Sequence, residues 1–208
     1  MILFGVDQSL SGTGITILEN DRENEFWEAN KIVHQEEIRT KTTGPQRLIF
    51  IRNRIRELIE EYKPDVIARE DYAMGAVGKV FNLGELGGVV DITVRELSKP
   101  LYVIPIQAWK KLLFKKGNIA KDTSYLLKFK QVTEYEFETD NIADSYGIAN
   151  ALHWYLAIES DPEFVYNLEE YMQEVFFDVK KAKKAKLTFK KAKKEKLLHT
   201  FLVNHRTT

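Results

Sequence analysis

The chain has 208 residues, 31 of them basic and 31 acidic, with a formal net charge of zero and no cysteine. That length is too short for a two-lobed kinase, and the missing cysteine removes disulfides, zinc–thiolate sites and thiol chemistry. A 44% hydrophobic and 12% aromatic composition supports one globular domain with an appendage. No apolar run approaches a membrane span and no signal-peptide pattern opens the chain, so a cytoplasmic protein without a membrane partner is expected. The zero net charge conceals segregation, because residues 180–196 hold ten Lys and a single acid, Glu195. Local fields govern nucleic-acid contact more than net charge does.

Residues 2–17 read as two short β-forming runs joined by a Ser/Gly turn, a hairpin whose first strand ends in Asp7. Ile2, Leu3, Phe4 and Val6 suit a central strand buried on both faces, where a carboxylate is costly unless it is paired or binds a metal. A turn residue capping its own backbone is the plainer role for Asp7. Two families place Asp at this point of such a hairpin: RNase H-like nucleases, where it binds a divalent metal, and actin-like or sugar-kinase ATPases, where the turn meets phosphate.

A third strand is expected over residues 25–34, followed by a helix opened by Pro45 with Leu48, Ile51, Ile55, Leu58 and Tyr62 on one face. Pro64 ends that helix, and residues 65–70 form a short strand that again finishes in an acid, Glu70. A Gly-punctuated loop leads to a helix over 80–97. Its Gly84, Gly87 and Gly88 imply close packing against the sheet or a partner helix, since each costs about 1 kcal/mol in a helix interior. A fifth strand (101–104) precedes a basic segment, Trp109 to Lys121. A helix over 121–131 comes next, and then one opening at Thr139 as N-cap. Hairpin-connected strands followed by helix-linked ones indicate an α/β fold, a mixed five-stranded sheet of order 3-2-1-4-5 covered by helices. Residues 1–158 form the expected domain, and 159–208 an extension that is first acidic and aromatic, then Lys-rich.

In that order the first and fourth strands are neighbours, so Asp7 and Glu70 stand side by side. Asp140 and Asp144, four apart, share a helical face. Converging carboxylates repel unless cations relieve them. Mg²⁺ prefers oxygen ligands, and a pair of ions about 3.5–4 Å apart stabilises both the attacking and the leaving oxygen in phosphodiester hydrolysis. Helix-terminal charge complementarity for Asp140 and a surface position for Glu70 are the simpler roles of each acid taken singly.

The chain resembles the RuvC-like Holliday junction resolvases, especially the phage-type members. The resemblance rests on G-V-D-Q-S-L-S-G-T-G at Gly5 to Gly14, V-I-A-R-E-D at Val66 to Asp71 and L-G-E-L-G-G-V-V at Leu83 to Val90. It continues through Pro105 to Lys111, G-N-I-A-K-D at Gly117 to Asp122 and D-N-I-A-D-S at Asp140 to Ser145. These pieces occur in family order across about residues 1–158, whereas the ATPase reading lacks a second phosphate motif. The resemblance implies an RNase H-like fold and a homodimer that cuts four-way DNA with two Mg²⁺ per active site, Mn²⁺ substituting and no small-molecule cofactor. It implies paired nicks that leave 5′-phosphate and 3′-hydroxyl ends.

Carried over as metal-binding catalytic acids are Asp7, Glu70 and Asp144. Asp140 is taken as the fourth, with Asn141 as the alternative, because the bacterial pattern has its ligand three residues before the final Asp. Lys121 and Lys110 match lysines beside the active site, where a cation offsets charge developing at the scissile phosphate. Ser9, Tyr72, Met74, Lys111, Lys115 and Lys116 are the expected DNA contacts, with Tyr72 or Met74 wedging at an opened step. In the tail, Lys183, Lys184, Lys190 and Lys191 are expected on phosphate, against the simpler reading of a solvated face. Two other functions stay open: an RNase H-like nuclease acting on branched or flap DNA or on RNA–DNA hybrids, and a junction-binding protein without catalysis.

Overall fold

The computed structural model describes residues 1–20, 30–71 and 80–176. Five strands, β1 (Ile2–Asp7), β2 (Thr13–Asn20), β3 (Asn30–Ile38), β4 (Val66–Glu70) and β5 (Leu101–Ile104), form one sheet in the order β3-β2-β1-β4-β5. β1 runs antiparallel to β2 and parallel to β4, so the expected order and the central place of the first strand are met. Helices α1 (Gly44–Tyr62) and α2 (Val80–Glu96) cover one face. The other carries α3 (Ile106–Phe114), α4 (Tyr125–Thr133) and α5 (Asp140–Ser160), followed by a 3-10 turn (Pro162–Asn167) and α6 (Glu170–Phe176).

Strand alternation decides which side chains reach which face. Phe4, Val6, Ile15, Ile17 and Ile67 enter the core beneath α1 and α2, while Leu3, Leu18 and Ala68 enter the core beneath α5. The two-residue period therefore sends Asp7, in step with Leu3 and Gly5, to the α5 face. Glu70 follows in step with Val66 and Ala68. Arg69 points the opposite way and pairs with Asp91 of α2 through Nε–Oδ1 (2.5 Å) and a second bond of 3.0 Å.

α5 sits unusually close to the sheet because two strand positions carry no side chain. A Cβ on Gly5 would lie 2.3 Å from the Ser145 carbonyl oxygen, and one on Gly14 would lie 1.9 Å from that of Asn141. Thr16, between them on the same face, fastens the first turns of α5 through buried bonds to Ser145 Oγ (2.8 Å) and to the Ile142 carbonyl (3.3 Å). Thr139 caps the helix by accepting from the Ile142 N–H.

Several elements differ from the sequence expectation. Among the described residues β3 occupies Asn30–Ile38, running four residues past the expected end at 34. His34, Gln35, Glu36 and Glu37 hide the strand from a hydrophobicity reading, and an edge strand tolerates such polarity because one side of its ladder is unpaired. Residues 25–29 lie outside the described residues. The helix expected from 121 begins at Tyr125, because Asp122 accepts from the Ser124 N–H (2.9 Å) and hydroxyl (2.6 Å) and holds a turn there. The basic segment contains α3, with Trp109 fully buried. Among the described residues nothing lies within 4 Å of a Cβ on Gly84 or Gly88, so these two glycines do not serve close packing there.

Residues 162–176, the first part of the expected extension, are continuous with the α5-side core. Val165, Met172, Val175 and Phe176 are buried there, Trp154 stacks on Phe164, and Tyr155 meets Phe176 edge-on at 5.1 Å. The Lys-rich run from residue 180 onward lies outside the described residues. Phe176→Ala should lower the unfolding free energy by about 3–5 kcal/mol. Leu127→Ala, at an exposed position, should change it by less than about 0.5 kcal/mol. Urea titration of both variants checks the contrast.

Candidate active site

At the end of β1 and β4, on the α5 face, a cavity of about 500 Å³ is lined by Asp7, Gln8, Ser9, Glu70, Lys110, Lys121, Asn141 and Asp144, with Leu10, Ser11, Leu83 and Ile106. The register pairs Val6 with Arg69, which sets Asp7 beside Glu70 at adjacent strand ends. Asp144, one turn into α5, is delivered to them by the seat that Gly5, Gly14 and Thr16 form. Asp7 and Asp144 are only 5% and 3% exposed. The sequence reading thus named three acids that the fold brings together.

Two of the three acids, Glu70 and Asp144, are held by neighbours that the reading did not name as part of the site. The Trp109 indole donates to Glu70 Oε1 at 2.9 Å. The Tyr125 hydroxyl donates to Asp144 Oδ1 at 2.6 Å, and the Lys121 ammonium sits 2.5 Å from the other oxygen, Oδ2. The end of β4 is tied down through the Glu70 carbonyl, which accepts from Arg69 (2.8 Å) and from Gln8 Nε2 (3.2 Å). Gln8 Oε1, buried beside the acids, has no hydrogen-bond partner among the described residues. Trp109 carried a readable signal, since Trp109, Leu112 and Leu113 mark an apolar face in an otherwise basic stretch. Tyr125 and Gln8 carried none.

The electrostatics follow from burial. Desolvation, then repulsion from Glu70 and Asp144, raises the pKa of Asp7 well above the usual carboxylate range, with Lys121 opposing. Glu70 is pushed up to about 7, first by burial and further by Asp144, against the Trp109 hydrogen bond and the charge of Lys110. Asp144 is raised by burial in spite of Lys121 and Tyr125. For Lys121 burial acts downward, but Asp144, Asp7 and Asp140 outweigh it and hold the ammonium charged. Lys110 is 9% exposed, with Nζ 5.2 Å from the Trp109 ring centroid and 5.9 Å from that of Tyr125. Such faces suit a cation.

These residues fit a divalent metal. The donor set is oxygen only, which suits Mg²⁺ or Mn²⁺, and a dication would offset the burial and the mutual repulsion that raise the carboxyl pKa values. Among the described residues no three His, Cys, Asp or Glu side chains already stand as the ligand set of one ion. The positive charge in contact with the acids is the Lys121 ammonium.

Asp140 and Asn141 are separated by the rotation of α5. Asp140 has 49% of its side chain exposed and meets Lys121 at 3.3 Å on the rim. Asn141, one turn before Asp144 at i,i+3, lines the cavity, and its Nδ2 donates to Glu37 Oε1 at 2.7 Å. Burial works against ionisation of Glu37, but hydrogen bonds from Arg39, Asn141 and Thr139 prevail and keep its pKa below the usual value.

Among the expected DNA contacts, Ser9 lines the cavity and Lys116 is exposed. Lys111 and Lys115 turn instead to α6, where they pair with Glu174 and Glu169. Tyr72, Met74, Lys183, Lys184, Lys190 and Lys191 lie outside the described residues.

Because the folded pKa of Glu70 lies above its unfolded value, its contribution to stability is fully present below about pH 4.5 and is lost as pH rises through about 7. Glu70→Gln keeps an acceptor for Trp109 and removes the charge. In EDTA it should therefore stabilise the protein at pH 8, by on the order of 3 kcal/mol, and leave stability unchanged at pH 4. Thermal unfolding at the two pH values measures this.

The family model for crossover junction endodeoxyribonuclease RuvC matches residues 3–151. A protein of that name from Petrotoga mobilis is 27% identical over 154 residues, covering 70% of this chain and 91% of the relative. Another, from Hydrogenovibrio crunogenus, is 24% identical over 162 residues, covering 77% and 92%. In fold the chain is similar to Thermus thermophilus RuvC, solved in complex with Holliday junction substrate. The TM-score is 0.65 at 19% identity, with 77% of this chain and 97% of that one covered. The match spans all three acids and the elements that carry them, and the chain belongs to the RuvC crossover junction endodeoxyribonuclease family.

Proposed function

We propose that this protein is a structure-selective endonuclease that resolves four-way DNA junctions by metal-dependent phosphodiester hydrolysis. The observation that carries the reading is the convergence of buried Asp7 and Asp144 with half-buried Glu70 in one cavity of a chain that belongs to the RuvC family. Binding alone would gain nothing from carboxylates that face a polyanion, because they repel phosphate unless cations intervene.

Asp7, Glu70 and Asp144 would hold two Mg²⁺ ions, with Asn141 offering a fourth, neutral oxygen from the cavity wall. A metal held there would supply an activated water and stabilise the oxygens of in-line displacement. Trp109 and Tyr125 fix one oxygen each of Glu70 and Asp144, and the second oxygen of Asp144 is paired with Lys121. With that carboxylate on a metal, Lys121 would be available to the phosphate, and Lys110 would add a second positive charge from its aromatic bed. Ser9, in the cavity lining, and the exposed Lys116 contact the DNA backbone.

Resolution needs two symmetric cuts, and a two-fold dimer supplies two equivalent sites. One stripe of α2 suits the pairing of a second copy. Phe81 is 87% exposed and Ile92 56%, and Gly84 and Gly88 between them leave open space for a close helix approach. Gly88→Arg with Ile92→Asp should convert a dimer to a monomer in light scattering and leave the unfolding transition of the fold in place.

The direct test is cleavage of a synthetic four-way junction, with duplex, flap and RNA–DNA hybrid controls, in Mg²⁺ and in EDTA. Paired nicks are expected on the junction in Mg²⁺ alone. Asp7→Asn and Asp144→Asn should each lower the rate by at least about 10³-fold, equivalent to about 4 kcal/mol, with junction binding retained. Preferred cleavage of the flap or hybrid would replace the substrate assignment. Substantial cleavage by either variant would remove that residue from the metal site.

A further inference from the structure

The cavity wall depends on a residue that does not line it. Glu37 lies on the edge strand β3, 104 residues from Asn141, and its side chain is 6% exposed. The register pairs it with Gly14, and Ile38 beside it enters the opposite core. Alternation therefore points Glu37 to the α5 face. It lies there because Gly12 and Gly14 carry no side chains: a Cβ on Gly12 would stand 2.0 Å from Glu37 Oε1. Arg39 pairs with Oε2 at 2.8 Å, and Asn141 donates to Oε1.

A carboxylate paired with a guanidinium can only accept, so it admits one orientation of the Asn141 amide, with Nδ2 towards Glu37. Planarity then leaves Oδ1 as the polar atom available to the cavity. The flipped amide would turn two N–H donors to the acids and oppose any cation there. It would also set two acceptors against each other across the same short contact.

We propose that Glu37 is a positioning residue that selects the Asn141 amide orientation and so presents Oδ1 as a ligand to the metal site. This rests on the reading of Asn141 as the fourth ligand. It gives a chemical reason for an amide at this position: an acid at 141 would put two carboxylates within hydrogen-bond distance of each other. The proton donor and the acceptor have to be distributed between 37 and 141 in one of two ways, and this chain uses acid at 37 and amide at 141.

The reversed distribution is the test. Mn²⁺ binding to the full chain is measured by calorimetry for Glu37→Ala, Glu37→Gln, Asn141→Ala, Asn141→Asp and the double variant Glu37→Gln/Asn141→Asp, with melting temperatures recorded in parallel. Asn141→Ala and Glu37→Ala should each weaken Mn²⁺ binding by about 10-fold or more, the range found for residues that orient metal ligands. In the double variant the amide on β3 donates to the carboxylate on α5. That variant should bind Mn²⁺ more tightly than either of its single parents and melt above Asn141→Asp. Effects that simply multiply, with Asn141→Ala still weakened, would overturn the positioning role and leave Asn141 a ligand. Unchanged Mn²⁺ affinity in Asn141→Ala would instead remove the ligand reading, and the role of Glu37 with it.

Discussion

The active end of this protein depends on one packing constraint: the first turns of α5 lie directly on a sheet surface from which side chains are missing. Gly5 and Gly14 let the helix backbone approach, and Thr16 bonds it in place. Strand alternation has already sent Asp7 and Glu70 to that face. The seat then leaves Asp144 no position except beside them. Three carboxylates are thus held together by apolar packing and hydrogen bonding elsewhere, against their own repulsion and the cost of burial. The fold gives up stability at this point, and a bound cation restores it.

The same constraint organises the cations. On α3, consecutive residues project about 100° apart, so Trp109 faces inward, Lys110 edges the cavity and Lys111 points away. Lys111 and Lys115 pair with Glu174 and Glu169 of the C-terminal extension, and Lys115 Nζ also lies 5.2 Å from the Tyr171 ring centroid. Exposed ion pairs of this kind add little stability. Their setting matters more: α6 packs its apolar face against the helix that presents Trp109 to Glu70. The extension through Phe176 therefore braces the catalytic end in addition to completing the core.

Much of this was legible in the sequence alone. The alternation of Leu3, Gly5 and Asp7 against Phe4 and Val6 is local, and so is the matching pattern ending in Glu70. The strand order followed from a hairpin and two helical crossovers. What stayed hidden acts across distance. Trp109 reaches Glu70 over 39 residues, Tyr125 reaches Asp144 over 19 and Glu37 reaches Asn141 over 104. Helical periodicity placed Asp140, Asn141 and Asp144 near one another but could not set the rotation of α5. That rotation comes from the seat on Gly14, which puts Asn141 in the cavity wall and Asp140 on the rim. The end of the third strand was missed because its polar stretch is stabilised by backbone pairing at a sheet edge, where hydrophobicity is a poor guide.

The central claim is that the buried acids are a metal site completed by Asn141, with Lys121 acting as the cation in its absence. Anomalous diffraction from crystals of the full chain grown with Mn²⁺ tests it most directly. The account predicts peaks in the cavity, each with carboxylate oxygens of Asp7, Glu70 or Asp144 at roughly 2.0–2.2 Å, the range of a small oxygen-ligated dication. It also predicts Asn141 Oδ1 in one ligand set and Lys121 withdrawn from Asp144. Mn²⁺ held at the rim by Asp140, or a cavity without a peak while Lys121 remains on Asp144, would contradict it.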